Sequence, residues 1–219
     1  MKRLPGEIER ESFAIITAEL REKGICLPAE TAAVTMRCIH ASADMDYAST
    51  LRFTQDAVAQ SVEALRQAAS IVTDTNMALA GISKPGLQKL GGRAYCFMAE
   101  PEIAERAKKD GTTRAAVSVD HAAERFPDAI LAVGNAPTAL LRIADRIETG
   151  LRPALVIGVP VGFVNVVESK ERILAVCEEY GVPAIVALGR KGGSSIAAAV
   201  CNALIYTAAG MLDPAERGW

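Results

Sequence analysis

The sequence lacks a long apolar run, an apolar leader and an excess of charge of either sign. No stretch of roughly 18 or more apolar residues occurs, so no membrane-spanning helix is expected. The first residues, MKRLPGEIERESF, are charged, and no secretion signal is expected from them. Basic and acidic side chains number 24 and 26, whereas a general nucleic-acid binder carries a basic excess. We therefore expect neither a membrane nor a nucleic acid as a partner.

Histidine is scarce as well, and the cysteines form no recognisable motif. The five cysteines are widely scattered and form no C-x-x-C pair, and neither of the two histidines belongs to a His/Cys cluster. This pattern is typical of buried, reduced thiols in a cytoplasmic protein. We therefore expect the protein to be located in the cytoplasm. It also predicts no transition-metal site built from protein ligands.

What is present indicates one α/β domain over residues 1–219. Half of the residues are apolar, which is enough for a sizeable core. The first part predicts helices over 12–24, from Pro28 to about residue 43, and after a proposed N-cap at Thr54. Helical segments such as 137–149 and 168–180 then alternate with short apolar runs. These runs lie at 71–73, 94–98, 130–133, 154–157 and 184–188.

The apolar runs do not alternate with polar residues, so they suit strands that are covered on both faces. The sequence therefore predicts a three-layer α/β sandwich with a mostly parallel, five-stranded sheet and an N-terminal helical region. In such sheets ligands bind beyond the carboxyl ends of the strands. Four segments there are rich in small residues: TDTNM (73–77), GNAPT (134–138), GVPVG (158–162) and GRKGGSS (189–195).

GRKGGSS is the most suggestive of the four. Arg190 and Lys191 supply positive charge, and Ser194 supplies a donor at a helix start, so the segment can hold carboxylates or a phosphate. It matches neither the P-loop nor the dinucleotide-binding pattern, and an ordinary strand–helix turn is the simpler interpretation of any one such segment. Asn135 in GNAPT is a further candidate for substrate binding.

His40 is the candidate for acid–base chemistry. On a helix, Arg37 and His40 share a face with Asp44 one turn further, which would place a proton donor beside a cation. A hydrogen-bonded histidine at a helix end is the alternative. His121 follows Asp120 in a segment rich in Ala and charges, and a solvated helix face explains it.

Several segments together resemble the precorrin-8 methylmutase family, including its cobalt-precorrin-8 members. They occur in order along nearly the whole chain, from Ser12 to about Leu204: IHASADMDY, LRF, VTDTNM, TTRAA, VGNAPTAL, IGVPVGFV, ESK and GRKGGSS. The resemblance implies an isomerase without a cofactor, with an α/β sandwich fold and usually a homodimer. Its reaction moves a methyl group from C-11 to C-12 of a corrin precursor by a 1,5-sigmatropic shift. The products are hydrogenobyrinate, or cobyrinate for the cobalt form, which the resemblance favours.

The resemblance also implies roles for residues. It makes His40 the catalytic residue, which donates a proton or a hydrogen bond to a ring nitrogen, and it makes Ser12, Arg37 and Arg114 substrate contacts. Ala115 stands where the family usually has serine, so a hydroxyl contact is lost there. Met45 and Tyr47 stand where phenylalanines are common.

Two other functions fit the same residues. One is a nucleotide- or phosphate-binding protein that uses GRKGGSS, and the other is a tetrapyrrole carrier without turnover. Titration with nucleotides and a corrinoid separates the first from the methylmutase, and turnover of the macrocycle separates the second.

Overall fold

The protein contains a single six-stranded sheet, with helices packed around it. The computed structural model describes residues 4–217. The strands of the sheet are β1 (Leu51–Phe53), β2 (Ile71–Thr73), β3 (Ala94–Tyr95), β4 (Ile130–Val133), β5 (Leu155–Gly158) and β6 (Ala184–Ala187). Their order across the sheet is β1-β6-β5-β4-β2-β3. β2 to β6 pair in parallel and correspond to the five predicted runs.

The predicted count of five strands is wrong by one edge strand. β1 pairs antiparallel with β6, with Leu51 opposite Ala187 and Phe53 opposite Ile185. It is only three residues long and carries Arg52 at its centre, so it lacks the apolar run that marks the other strands. The predicted class of fold, a mostly parallel three-layer sandwich, is confirmed.

Helices cover both faces of the sheet. Three precede β1, and one lies between β1 and β2: α1 (Pro5–Glu22), α2 (Ala29–Ser42), α3 (Tyr47–Thr50) and α4 (Ala57–Arg66). Four more lie on either side of β3: α5 (Asn76–Gly81), α6 (Lys84–Lys89), α7 (Pro101–Lys109) and α8 (Arg114–Arg125). The last three follow β4, β5 and β6 in turn, before a 3-10 turn at Pro214–Arg217: α9 (Pro137–Glu148), α10 (Val166–Glu179) and α11 (Ser194–Ala209). None of the helices within residues 4–217 is both long and apolar enough to cross a membrane.

Alternate residues of each central strand face two separate cores. Ile130 and Ala132 of β4 pack in the core that contains α1, α2, α4 and α11. Leu131 and Val133 pack in the core that contains α7, α8, α9 and α10. Because both faces of the strand are buried, the strand needs no polar alternation, and this accounts for the sequence pattern.

Three helix starts differ from the prediction, and that of α10 differs by only two residues, at Val166 rather than at 168. α1 begins at Pro5 rather than near residue 12. The proline in its first turn and the hydrogen bond from the Leu4 amide to Glu7 (2.9 Å) favour this earlier start. Thr54 does not cap α4, which begins after Asp56. The Thr54 hydroxyl instead accepts the amide of Ala184 at 2.8 Å and so fastens the chain to the start of β6.

The order of strands reverses between β2 and β4. The connection that leaves β2 leads to β3 on one side, whereas β4 leads to β5 and β6 on the other. Such a reversal opens a crevice at the carboxyl ends of the two strands, where open α/β sheets bind their ligands. The loops after β2, β4, β5 and β6 all lie at this edge, which we call the carboxyl edge.

Candidate active site

His40 lies in the last turn of α2 and is half-buried against α1. Its Nδ1 is 2.8 Å from the Oγ of Ser12, and its ring centre is 5.1 Å from that of Phe13. A cavity of about 380 Å³ lies beside the ring and is lined by α1, by the end of α2 and by the loop after it. Ile8 and Ile15 in its wall are each 53% exposed. The structure thus places one titratable ring at a mostly apolar opening.

The surroundings of His40 favour a neutral ring. Burial lowers the pKa of His40 below its usual value, and the positive charge of Arg37 lowers it further. A neutral ring that accepts a hydrogen bond from Ser12 at Nδ1 carries its proton on Nε2. Nε2 has no hydrogen-bond partner among residues 4–217. The arrangement can therefore present an N–H donor to a ligand.

Arg37 is already paired with a carboxylate. Its guanidinium lies between the rings of Phe13 and Tyr206, at 5.0 and 5.1 Å from their centres, and its Nη2 is 2.7 Å from Glu9. Glu9 also accepts from Nη1 of Arg217 at 2.7 Å. Burial opposes ionisation of Glu9, but the bond from Arg217 and the charge of Arg37 hold its pKa below the usual value. Ser12, Arg37 and His40 therefore form one packed cluster.

Asp44 does not share the face of Arg37 and His40 as predicted. α2 ends at Ser42, and Ala43 adopts the left-handed conformation (φ 54°), which turns the chain away from the helix. The loop brings Asp44 and Asp46 together instead, and each has a carboxylate oxygen 2.6 Å from Nζ of Lys191. These hydrogen bonds raise the pKa of Lys191 and lower that of Asp44. Lys191 thereby ties the GRKGGSS segment to the end of the helix that carries His40.

Arg190 remains available beside Lys191. Its side chain is exposed, and the guanidinium lies 5.4 Å from the centre of the Phe163 ring. Phe163 is itself 82% exposed. No carboxylate within residues 4–217 forms an ion pair with Arg190. This part of the carboxyl edge therefore offers a flat apolar ring beside a free cation.

Asp74 holds together the two sides of the crevice between β2 and β4. It is buried at the end of β2, and its carboxylate accepts the amides of Gly134, Asn135 and Ala136 at 2.7 to 2.8 Å. Burial raises the pKa of Asp74, and the three amides oppose that rise. Asp74 therefore shapes the GNAPT loop, and the Asn135 side chain is exposed.

Two further predicted residues lie at the same edge. The Oγ of Ser194, at the start of α11, is 2.8 Å from Oγ1 of Thr75, which follows β2. Arg114 is exposed in the first turn of α8, and Thr113 just before it donates to Thr138 in the first turn of α9 at 3.1 Å. The carboxyl edge thus gathers Arg114, Asn135, Arg190, Lys191 and Ser194, and Lys191 links it to the cluster of His40.

Two expectations outside this site are wrong. His121 does not lie on a solvated face, because its side chain is only 14% exposed and its ring centre lies 4.6 Å from that of Phe97. Cys26 is exposed and Cys96 is half-buried, so only Cys38, Cys177 and Cys201 fit the prediction of buried thiols. All five cysteines are free, as expected.

Sequence reasoning missed Glu9, Phe13 and Lys170 as parts of the site. Phe13 follows Ser12 directly, so its contact with the histidine could have been inferred once Ser12 was placed. Glu9 lies 28 residues from Arg37, and nothing in the sequence marks that pair. Lys170 belongs to the quoted ESK segment, but a lysine inside a charged helix reads as a surface residue.

Comparisons with known proteins agree with this geometry. The family model described as CbiC, precorrin-8X methylmutase, matches residues 7–207. A cobalt-precorrin-8 methylmutase of Leptospira interrogans is 41% identical over 92% of this chain and 93% of its own length. That of Salmonella typhimurium is 42% identical over 92% and 95%. A solved precorrin-8x methyl mutase of Thermus thermophilus superposes with a TM-score of 0.85 at 42% identity, covering 93% of this chain and 96% of that one.

The family match spans both the α1–α2 cluster around His40 and the loops of the carboxyl edge. The alignments also span 93 to 96% of the relatives' own lengths. The chain therefore belongs to the precorrin-8X methylmutase family, and it is an isomerase that moves a methyl group within one molecule in cobalamin biosynthesis.

Proposed function

We propose that this chain converts precorrin-8, or its cobalt form, into hydrogenobyrinate or cobyrinate, with His40 as the catalytic residue. The observation that carries this proposal is the ring of His40, oriented by Ser12 at 2.8 Å and placed at a mostly apolar cavity. The bond from the methyl carbon to C-11 breaks as the bond to C-12 forms. The reaction is intramolecular, so atoms and electrons balance without a second reactant.

A reaction of this kind needs orientation and one well-placed donor. In this proposal the Ser12 hydroxyl, 2.8 Å from Nδ1 of His40, donates to that nitrogen and so keeps the proton on Nε2. Nε2–H then donates a hydrogen bond to a nitrogen of the macrocycle and favours the rearranged electron distribution. A nucleophile and a protein-bound metal have no step to perform in this scheme, and we propose no cofactor.

The substrate is a flat ring fringed by carboxylates, which calls for cations at its rim. Arg190 and Arg114 are the cations of the carboxyl edge without a carboxylate partner in residues 4–217, so they bind rim carboxylates directly. Ser194 and Asn135 add polar contacts. Lys191 and Arg37 are already paired with carboxylates, so their role is to hold the loop and the cluster of His40 in place beside the substrate.

We further propose the cobalt form as the natural substrate, a homodimer as the assembly and the cytoplasm as the location. Two relatives are named for the cobalt form and the solved structure for precorrin-8x, so names alone do not decide the substrate. Five free thiols support a reducing compartment. Exposed apolar side chains such as Ile8, Ile15 and Phe163 supply surface that a partner subunit or the substrate would cover.

The test is incubation of the purified chain with precorrin-8 and, separately, with cobalt-precorrin-8, followed by the visible spectrum. Conversion of either to the corrin spectrum supports the proposal, and the faster substrate identifies the natural form. Binding without a spectral change would make the chain a carrier. Tight binding of ATP or NAD, with no binding of the macrocycle, would favour the nucleotide-binding alternative.

A further inference from the structure

Lys170 on α10 is a buried cation next to the carboxyl edge. Its side chain is fully buried, and its Nζ donates to the carbonyl oxygens of Gly189 and Lys191 at 2.8 Å each. Within residues 4–217 no carboxylate forms an ion pair with it. Burial lowers its pKa to about 8, so at neutral pH the group is mostly an ammonium. A buried ammonium is costly unless its donors are satisfied, and here two backbone carbonyls of one loop accept from two of its three N–H groups.

These bonds orient three consecutive peptide groups of the loop. The carbonyls of Gly189 and Lys191 point to Lys170, and the carbonyl between them, that of Arg190, accepts the amide of Gly162 at 3.2 Å. Every described peptide is trans, and in a trans peptide the N–H points opposite to the preceding carbonyl. The amides of Arg190 and Gly192 therefore point away from Lys170, and the amides of residues 190 to 192 have no acceptor in the described part of the chain.

The loop is held on its other side as well. The amide of Gly193 donates to the carbonyl of Val159 at 2.8 Å. A Cβ on Gly192 would collide with that same carbonyl oxygen, so the backbone passes too close for any other residue. The loop is thus held between the turn after β5 and the ammonium of Lys170. The amides of Arg190 and Gly192 are directed away from Lys170, and the side chain of Arg190 is exposed.

We infer that Lys170 is a positioning residue for the carboxylates of the substrate, because its ammonium fixes the loop that presents Arg190 and Lys191. The inference rests on the proposed function, which assigns that loop to the rim of the macrocycle. Lys170 does not touch the substrate. Its removal lets the carbonyls of Gly189 and Lys191 turn outward, where they repel a carboxylate that the amides and Arg190 would bind.

The test uses Lys170→Met, which keeps the length of the side chain and removes its donors. Dissociation constants are measured for the corrin product as the free acid and as its methyl ester, together with the single-turnover rate at saturating substrate. We expect the acid to bind about tenfold more weakly or worse, the size of one lost charge-assisted contact. We expect binding of the ester and the single-turnover rate to change by less than about threefold, since neither depends on carboxylate recognition by the loop.

A matched control lies on the same helix. Ile173 is also fully buried, but its side chain has no hydrogen-bond donor. Ile173→Val therefore destabilises the protein without removing a bond to the loop, and its ratio of acid to ester affinity should equal that of the parent. If Lys170→Met does not fold, Lys170→Gln takes its place. Its amide NH2 keeps hydrogen-bond donors but carries no charge, so its ratio of acid to ester affinity should be lower than that of the parent, by less than the tenfold expected for Met.

An unchanged ratio in a folded Lys170 variant overturns the inference, as does an equal loss for acid and ester. Failure of the proposed function gives a different result. In that case the parent chain itself leaves precorrin-8 and cobalt-precorrin-8 unconverted, whatever residue stands at position 170.

Discussion

Replacing His40 tests the proposed chemistry most directly, because two substitutions separate the two nitrogens of its ring. The amide of Asn reaches about as far as Nδ1, and the amide of Gln reaches about as far as Nε2. His40→Asn therefore keeps a partner for the Ser12 hydroxyl, which lies 2.8 Å from Nδ1, and loses the donor at Nε2. His40→Gln loses the bond to Ser12 and retains an N–H donor near the Nε2 position.

The magnitude follows from the role of a positioned donor. Such a group contributes roughly 10²- to 10⁴-fold in rate, which is ~3 to 5 kcal/mol of the barrier. We expect His40→Asn to reduce turnover by at least about 100-fold, with the fold and corrin binding nearly unchanged. His40→Gln should be intermediate. His121→Asn is the control, since His121 packs on Phe97 away from Ser12 and the cavity.

The assay is a single turnover with enzyme in excess, which removes product release from the measured rate. Far-ultraviolet circular dichroism and a thermal melt establish that each variant is folded. If His40→Asn converts bound substrate as fast as the parent, His40 serves binding or structure only. Catalysis would then come from orientation of the ring alone. If Gln is slower than Asn, the bond at Nδ1 matters more than the donor at Nε2, and the tautomer assigned above is wrong.

Four further outcomes are expected. Replacing both Arg190 and Lys191 with Ala should raise KM and the dissociation constant of the product by tenfold or more. The direct contact of Arg190 (~1.5–3 kcal/mol) is lost, and Lys191 no longer ties the loop to Asp44 and Asp46. The single-turnover rate should change little, and unchanged product affinity refutes their role. Because the pKa of His40 is lowered from 6.5, the ring is already neutral at pH 7 and keeps Nε2–H, so the single-turnover rate should stay level up to about pH 8.5. A tenfold fall per pH unit would instead identify the imidazolium as the donor. Asp74→Asn places an amide NH2 donor against the backbone amides of residues 134 to 136. It should lower the free energy of unfolding, measured in urea, by about 3 kcal/mol. An unchanged free energy of unfolding would mean that the carboxylate does not hold the loop. Sedimentation at micromolar concentration should give roughly 46 kDa, twice the 23.1 kDa of one chain, and a species of one chain only contradicts the homodimer.

The central strands were predictable because burial on both faces leaves a clear pattern. ILAV in β4 and AIVA in β6 are apolar at every position, and the structure buries every one of these residues. β1 was not predictable in this way, since Arg52 interrupts a strand of three residues that pairs with β6 at a distance of more than 130 positions. Pairing of this kind is decided by tertiary structure rather than by local pattern.

The sequence predicted which residues belong to the candidate site better than it predicted their hydrogen-bond and ion-pair partners. His40 and the loop of Arg190 were marked by spacing, by small residues and by the family resemblance. The pairing of Arg37 with Glu9 was not visible, because a charged residue on an amphipathic helix gives no sign of the carboxylate that it meets. The burial of Lys170 was hidden for the same reason, and it emerged only once β6 and α10 were placed side by side.

The contact between Arg217 and Glu9 has a consequence for the design of truncated or tagged forms of the protein. Residues 214 to 217 lie beyond the segment that matches the family model, yet Arg217 donates both to Glu9 and to the carbonyls of Met211 and Leu212, and its guanidinium lies 4.1 Å from the centre of the Tyr206 ring. Its charge also contributes to the lowered pKa of His40. A truncation or a rigid fusion at this terminus would thus alter the electrostatic surroundings of the histidine from the far end of the polypeptide, and an affinity tag is better attached through a flexible linker.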